Sequence, residues 1–208
     1  ISDEGPFPNA AYNVPIMSLP YFLRTQNIPT YSPYLFAEDS LVRKWREILG
    51  PPIIRRIGIS WYGNPKQELD YQRSIPSADI RILTELDGFE FISLQQASEL
   101  EDLEHVTKLG DITNNKIDVR AAFIDTAAIM VNLDLIITVD TAIAHLAGAL
   151  GLKTWLMLPS CSDWRWLCNQ ESTDWYPNMR LFRQSKAGDW VEVIERVSKS
   201  LRQNEFLN

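Results

Sequence analysis

Hydrophobic and polar positions alternate most tellingly between Asp134 and Leu158. Leu135 to Val139 is an unbroken β-branched and leucine run without charge. It is too short for a helix and reads as a strand buried on both faces. The run ends at Asp140, and Thr141 to Leu150 then turns alanine-rich, with Ile143, Leu146, Ala147 and Leu150 at helical spacing. Gly151 stands where a helix C-cap glycine belongs, and a second apolar run, Thr154 to Leu158, follows at once. Strand, short turn, helix, short turn, strand predicts a βαβ unit, which puts the helix N-terminus at the carboxyl edge of a parallel sheet. Open α/β sheets bind ligands at that edge.

The same patterns, followed along the rest of the chain, predict about six strands with helices between them, an α/β layer sandwich. Residues 1–40 are rich in proline interleaved with Tyr and Phe and keep neither period for long. Such a stretch is expected to drape over a neighbouring surface, since its apolar side chains would otherwise face water. Asp39 and Ser40 open a short helix, Leu41 to Leu49, stopped by Gly50-Pro51-Pro52, and a domain boundary is placed there, dividing residues 1–50 from 51–208. Ile53 to Trp61 reads as the first strand of the main domain. A loop through Gly63, Lys66 and Arg73 leads to a helix at about Ala78 to Leu86, opened by Pro76 and Ser77.

Phe89 to Leu94 predicts a second buried strand, ending in Gln95 and Gln96. An acidic loop, Glu99 to Glu104, precedes a weak strand at Val106 to Leu109. Asp125 is expected to cap a helix at Thr126 to Asn132. Beyond Leu158 comes a tryptophan-rich stretch with the character of a lid or wall. Met179 to Arg183 forms a last short strand, and Asp189 to about Leu201 an amphipathic helix with Val191, Ile194, Val197 and Leu201 inward.

Composition narrows the partners. The 208 residues, 45% hydrophobic with 7 Trp, supply ample core. A net charge of -7 argues against nonspecific binding to nucleic acid or an anionic membrane. The apolar runs fall far short of the roughly 20 residues that span a bilayer. Cys161 and Cys168 lack the spacing of a metal-binding or redox pair, so no metal site is expected and a reducing cytoplasm is the default compartment. The opening residues, ISDEGPF, carry neither an initiator Met nor a signal core and read as an excised segment.

Candidate chemistry gathers at the turn after the central strand. The first N–H groups of the helix there, from Ala142 to Ala144, have no partner within it and suit a phosphate. Asp140 and Thr141 lie between strand and helix. His145, four residues after Thr141, shares a face with it that Gly148 continues without bulk. The alternative reading is that Asp140 or Thr141 caps the helix and His145 is a half-exposed surface histidine. In the first-strand loop, Lys66 and Arg73 bring positive charge toward a diphosphate, or are solvated loop charges. The glycines there match neither a Walker motif nor GxGxxG.

The ordered motifs W-x-G-N-P-K, D-x-x-R-S-I-P, F-x-S-L-Q, D-T-A-A-I-M, V-D-T-A-I-A-H-L-A-G-A-L-G, D-W-R-W, W-Y-P-x-M-R-L-F-R-Q and G-D-W resemble the carboxyl-terminal glycosyltransferase region of bacterial tetratricopeptide-repeat proteins. That region is similar to the donor domain of the heptosyltransferase family, glycosyltransferase family 9, of GT-B architecture. The resemblance covers about residues 14–200. It implies a Rossmann-like parallel sheet of about six strands with helices on both faces. It also implies a nucleoside diphosphate sugar as substrate rather than a cofactor.

Carried over by position, the resemblance puts Asp140, Thr141, Ala142 and His145 near the sugar and diphosphate. Lys66 and Arg73 answer to the phosphate-contacting basic residues, and Gln95 or Gln96 stands near the nucleoside. Trp164 and Arg165 fall in a neighbouring loop, a candidate lid. In GT-B enzymes the other domain supplies much of the acceptor site and commonly the general base, and here only its tail, about Val14 to Leu35, remains. The catalytic residue is therefore unassigned and the acceptor, a glycan or a protein, unnamed, and the exposed apolar tail could drive self-association. Two functions stand: the donor-binding half of a glycosyltransferase, or a noncatalytic nucleotide-binding or scaffold module that keeps the fold.

Overall fold

A computed structural model of the chain describes residues 10–26, 31–95, 103, 105–108, 117–118 and 123–207. Gln96, most of the acidic loop and the end of the weak strand at Leu109 lie outside them.

Six strands form one parallel sheet: β1 (Arg55–Ser60), β2 (Phe89–Ser93), β3 (Val106–Lys108), β4 (Leu135–Val139), β5 (Thr154–Leu158) and β6 (Met179–Arg183). Their spatial order is β3-β2-β1-β4-β5-β6, so the chain runs outward in one direction, returns, and continues in the other. This is the doubly wound Rossmann arrangement, with its switch point between β1 and β4. The register pairs Ile57 with Leu135 and Ser60 with Thr138. Strand β1 begins two residues later than the apolar run suggests, because Phe89, the first residue of β2, pairs with Arg55. Ile53 and Ile54 have no strand beside them and are exposed.

Period-two alternation sorts the strand residues between the two faces of the sheet. Ile57, Ile59, Phe91, Leu135, Ile137 and Val139 join Ile80, Leu83, Val193, Ile194, Val197 and Leu201 on one face. The helices there are α4 (Ser77–Thr84) and α7 (Trp190–Arg202), preceded in the chain by the short turns α1 (Leu19–Phe22) and α3 (Asp70–Arg73). On the other face Ile92, Leu94 and Ile136 pack against α2 (Asp39–Leu49), α5 (Ile124–Met130) and α6 (Ala142–Ala149) through Leu41, Trp45, Ile129, Met130, Ile143 and Ala147.

Helix α2 is integral to this second core. Trp45 is buried and its Nε1 donates to Asp125 Oδ1 at 2.9 Å, while the Arg56 guanidinium donates to the carbonyls of Leu49 and Gly50 at 2.6 and 2.8 Å. Two carbonyls left open by the helix end are thereby satisfied.

Three local expectations are corrected. Helix α5 begins at Ile124, and its N-cap position is Phe123, at φ 67°. Asp125 lies inside the first turn. The capping carboxylate is instead that of Asp118, whose Oδ1 accepts from the N–H groups of Asp125 (2.7 Å) and Thr126 (3.3 Å). Asp125 is thereby free to take Trp45 Nε1 and the Asp118 N–H. In α7 the inward stripe is Trp190, Val193, Ile194, Val197 and Leu201, and Val191 points outward, because Trp190 fills the first core position. Asp189 does cap this helix, accepting from Glu192 N–H at 3.2 Å. Helix α4 stops at Thr84, short of Leu86.

Helix α6 ends as its glycine predicts. Gly151 takes φ 72°, its N–H donates to Gly148 O and that of Leu152 to Ala147 O, both at 3.0 Å. These two bonds make a Schellman motif, which a β-carbon at Gly151 would strain.

Candidate functional site

The switch point brings the loops after β1 and β4 side by side, and their polar groups are tied to one another before any ligand is considered. Gln95, just past β2, holds the β1 loop. Its Oε1 accepts from Ser60 Oγ (2.8 Å) and from the N–H groups of Trp61 and Tyr62 (3.0 Å each), and its Nε2 donates to Tyr62 O at 3.2 Å. The amide shapes the loop and has little bonding capacity left over. Further along, Ser74 Oγ accepts from Gly63 N–H at 2.9 Å and donates to Asp70 Oδ2 at 2.7 Å.

Arg73 crosses the switch point. Its Nε pairs with the buried Asp70 carboxylate at 2.8 Å, its Nη2 meets Gln67 Oε1, and its Nη1 donates to the Asp140 backbone carbonyl at 2.9 Å. The guanidinium thus lies against the turn between β4 and α6, where the sequence places the anion site. Lys66, in the same loop, is exposed.

At that turn Thr141 is the extended N-cap of α6, with φ −138° and ψ 178°. Its hydroxyl makes no capping bond, and Oγ1 is buried without a partner among the described residues. A buried polar atom left unpaired is costly. Ala142, the first helical residue, is exposed, leaving the helix N-terminus open to solvent. Asp140 Oδ1 lies 3.9 Å from His145 Nε2.

The face of α6 that carries His145 is covered by a loop. Trp166, wholly buried, stacks on the imidazole at a centroid distance of 5.3 Å and 22° between planes. Tyr176 Oη lies 3.0 Å from His145 Nδ1. The phenol ring sits against Gly148, where a β-carbon would come within 2.3 Å of the ring. Burial pulls the His145 pKa below its ordinary value, with the Asp140 carboxylate opposing and Arg165 assisting, so the ring is neutral at pH 7. Burial pushes the Tyr176 hydroxyl well above its usual range, so it keeps its proton.

Arg183, at the end of β6, grips the loop from below. It donates to the carbonyls of Trp166 (2.9 Å) and Leu167 (2.8 Å) and meets Ser162 Oγ. Asp163 caps the single 3-10 turn Trp164–Trp166 by accepting from Arg165 N–H at 3.0 Å. Trp164 faces outward, beneath the Arg165 guanidinium at 4.8 Å and edge-on to Trp175 at 5.9 Å.

Asp140, Thr141, Ala142, His145 and Arg73 are therefore brought together. Gln95 stands at the adjoining strand end with its amide engaged, and Gln96 lies outside the described residues. Of the two proposed lid residues neither stacks on His145. Trp166 does, two positions beyond Trp164. Tyr176 was not singled out by sequence reasoning. Only the density of aromatic residues after Leu158 hinted at Trp166 and Tyr176.

No family model matches the sequence. Over 183 residues, 84% of the chain, it is 28% identical to Protein FlbA of Caulobacter vibrioides, and the aligned stretch is 30% of that protein. The chain thus spans less than a third of this curated relative. Among solved structures, the glycosyl transferase family 9 from Veillonella parvula superposes with a TM-score of 0.53 at 11% identity, covering 81% of this chain and 52% of that one. Spinosyn forosaminyltransferase SpnP gives 0.44 at 13% identity over 86% and 41%. What the chain shares with the Veillonella structure is the fold, a Rossmann-like α/β sheet matching about half of a glycosyltransferase chain.

Proposed function

We propose that the chain is the donor-binding half of a glycosyltransferase of the GT-B type, and that it holds a nucleoside diphosphate sugar at the N-terminus of α6. The observation that carries this reading is the buried, unpaired Thr141 hydroxyl at an open helix N-terminus, flanked by the Asp140 carboxylate and by the Arg73 guanidinium. Two phosphates call for backbone N–H groups, a helix dipole and a cation, and a hydroxylated sugar suits a carboxylate acceptor. The motif resemblance and the fold shared with the Veillonella protein support the same class. So does the matching of only about half of that chain, since GT-B chemistry takes place between two domains. Arg73 and Lys66 stabilise the departing diphosphate in this reading, with the acceptor oxygen brought up by a facing domain. The described residues contain no helix long and apolar enough to cross a membrane, and a cytoplasmic setting, where nucleotide sugars are made, completes the proposal.

One observation favours the noncatalytic reading: Arg73 is already committed to Asp70, Gln67 and the Asp140 carbonyl. Calorimetry with a panel of nucleoside diphosphate sugars, on this chain and on a version extended at its amino terminus, separates the two. Donor binding by both, with sugar transfer confined to the extended chain, is the expected result. Absence of binding by both sinks the donor assignment, and binding without transfer by either favours the scaffold.

A further inference from the structure

We infer that Tyr176 is a positioning residue that holds His145 with its Nε2–H turned toward Asp140 and the donor. The inference rests on the donor-site reading above for its functional meaning, although its geometry stands alone.

A neutral imidazole has one N–H and one acceptor nitrogen, and the partner of each nitrogen decides which is which. Nε2 faces the Asp140 carboxylate at 3.9 Å. A lone pair there would oppose the negative charge, so the proton belongs on Nε2 and Nδ1 becomes the acceptor. The group 3.0 Å from Nδ1 is the Tyr176 hydroxyl, which donates to it. The Tyr176 hydroxyl thus donates to Nδ1, and the Nε2–H is turned toward the Asp140 carboxylate.

The ring of Tyr176 has one seat, over the bare α-carbon of Gly148. The segment from Ser32 to Leu35 is bound to the same helix. The last carbonyls of α6, which lack partners in the helix, accept from the strap around it: Ser32 Oγ donates to Gly148 O at 3.0 Å, and the N–H groups of Tyr34 and Leu35 donate to Ala149 O at 2.9 and 3.1 Å. One end of α6 binds the strap while the other faces the donor.

The test is the nitrogen-15 spectrum of the imidazole in the ligand-free chain. The sequence has 2 histidines, so a His105→Gln background leaves His145 alone. The expected spectrum shows the neutral Nε2–H tautomer with a hydrogen-bonded Nδ1. Tyr176→Phe, which keeps the ring over Gly148, should move Nδ1 to the position of an unbonded nitrogen and shift the tautomer ratio about fivefold toward Nδ1–H. Thermal stability should change little. An Nδ1–H tautomer in the parent chain, or an unmoved Nδ1 resonance in Tyr176→Phe, overturns the inference. If the spectra behave as expected but no nucleoside diphosphate sugar binds the parent chain, the donor reading fails and the positioning of His145 by Tyr176 stands.

Discussion

The Arg73 guanidinium donates to the backbone carbonyl of Asp140 at 2.9 Å, joining the loop after β1 to the turn after β4 across the switch point of the sheet. The same group satisfies the buried Asp70 carboxylate. Arg73→Ala should therefore lower stability as well as diphosphate affinity. Stranding a buried acid typically costs about 2–3 kcal/mol, and thermal unfolding of the ligand-free variant will report it. An unchanged melting temperature would return Arg73 to the status of a solvated loop charge.

Gly148→Ala should damage the site without touching any polar group. The new methyl would sit 2.3 Å from the Tyr176 ring, so the phenol must leave, taking its bond to His145 with it. Overpacking of this kind costs about 1–3 kcal/mol. Denaturant unfolding, together with a change in the near-ultraviolet signal of Trp166, should detect it. A variant as stable as the parent would mean that the ring has a second seat.

The lowered pKa of His145 predicts a pH dependence whose sign is fixed. The unfolded chain binds a proton near pH 6.5 and the folded chain only at lower pH, so the contribution to stability is complete above about pH 6.5 and is lost as the pH falls through the depressed value. The charged groups that act on the ring are Asp140, Asp163 and Arg165. His145→Gln should flatten this limb of the stability profile. Glu192, held low by Arg196, loses its contribution only in the carboxylate range and leaves the histidine limb visible. An identical profile in His145→Gln would count against the depressed value.

Asp140→Ala should weaken a nucleoside diphosphate sugar more than the free nucleoside diphosphate. A hydrogen bond from a sugar hydroxyl to a carboxylate is worth about 1.5–3 kcal/mol, which is roughly tenfold to a hundredfold in affinity. Calorimetry with both ligands gives the comparison, and equal losses would remove the sugar role.

Asp125→Ala should loosen the attachment of α2, since it leaves the buried Trp45 indole N–H without its partner and frees the Asp118 N–H. The expected cost is about 1–3 kcal/mol, with faster amide exchange along α2. Unaltered exchange there would show that apolar packing alone holds the helix.

Much of the scaffold was legible because it is local. An apolar run of five residues, a helical stripe and a glycine at the right offset constrain one another over a few positions. Hence β4, α6, the Schellman turn at Gly151, β5 and β6 stand in the structure nearly where the hydrophobic pattern puts them. The Asp140–His145 segment was legible for the same reason: a strand that stops at a polar turn before a helix exposes unpaired N–H groups wherever it occurs.

The errors also have local causes. Val191 fits a helical stripe as well as Trp190 does, and only burial decides which faces the sheet. Asp125 had the look of a cap until Asp118, seven residues earlier, was found in that role.

By itself the sequence determined the parallel α/β class, the strand and helix succession, and the turn at which backbone N–H groups are left open, because each depends on neighbours within one element or its ends. Tertiary structure alone decided that β1 lies beside β4, that Arg73 reaches Asp140 over 67 positions, that Gln95 is spent on the β1 loop, and that Trp166 and Tyr176 close over His145. A hydrogen bond or ring contact between residues tens of positions apart leaves no period in the chain. It exists only once the sheet has set the order of its strands and packing has left one place for each side chain to go.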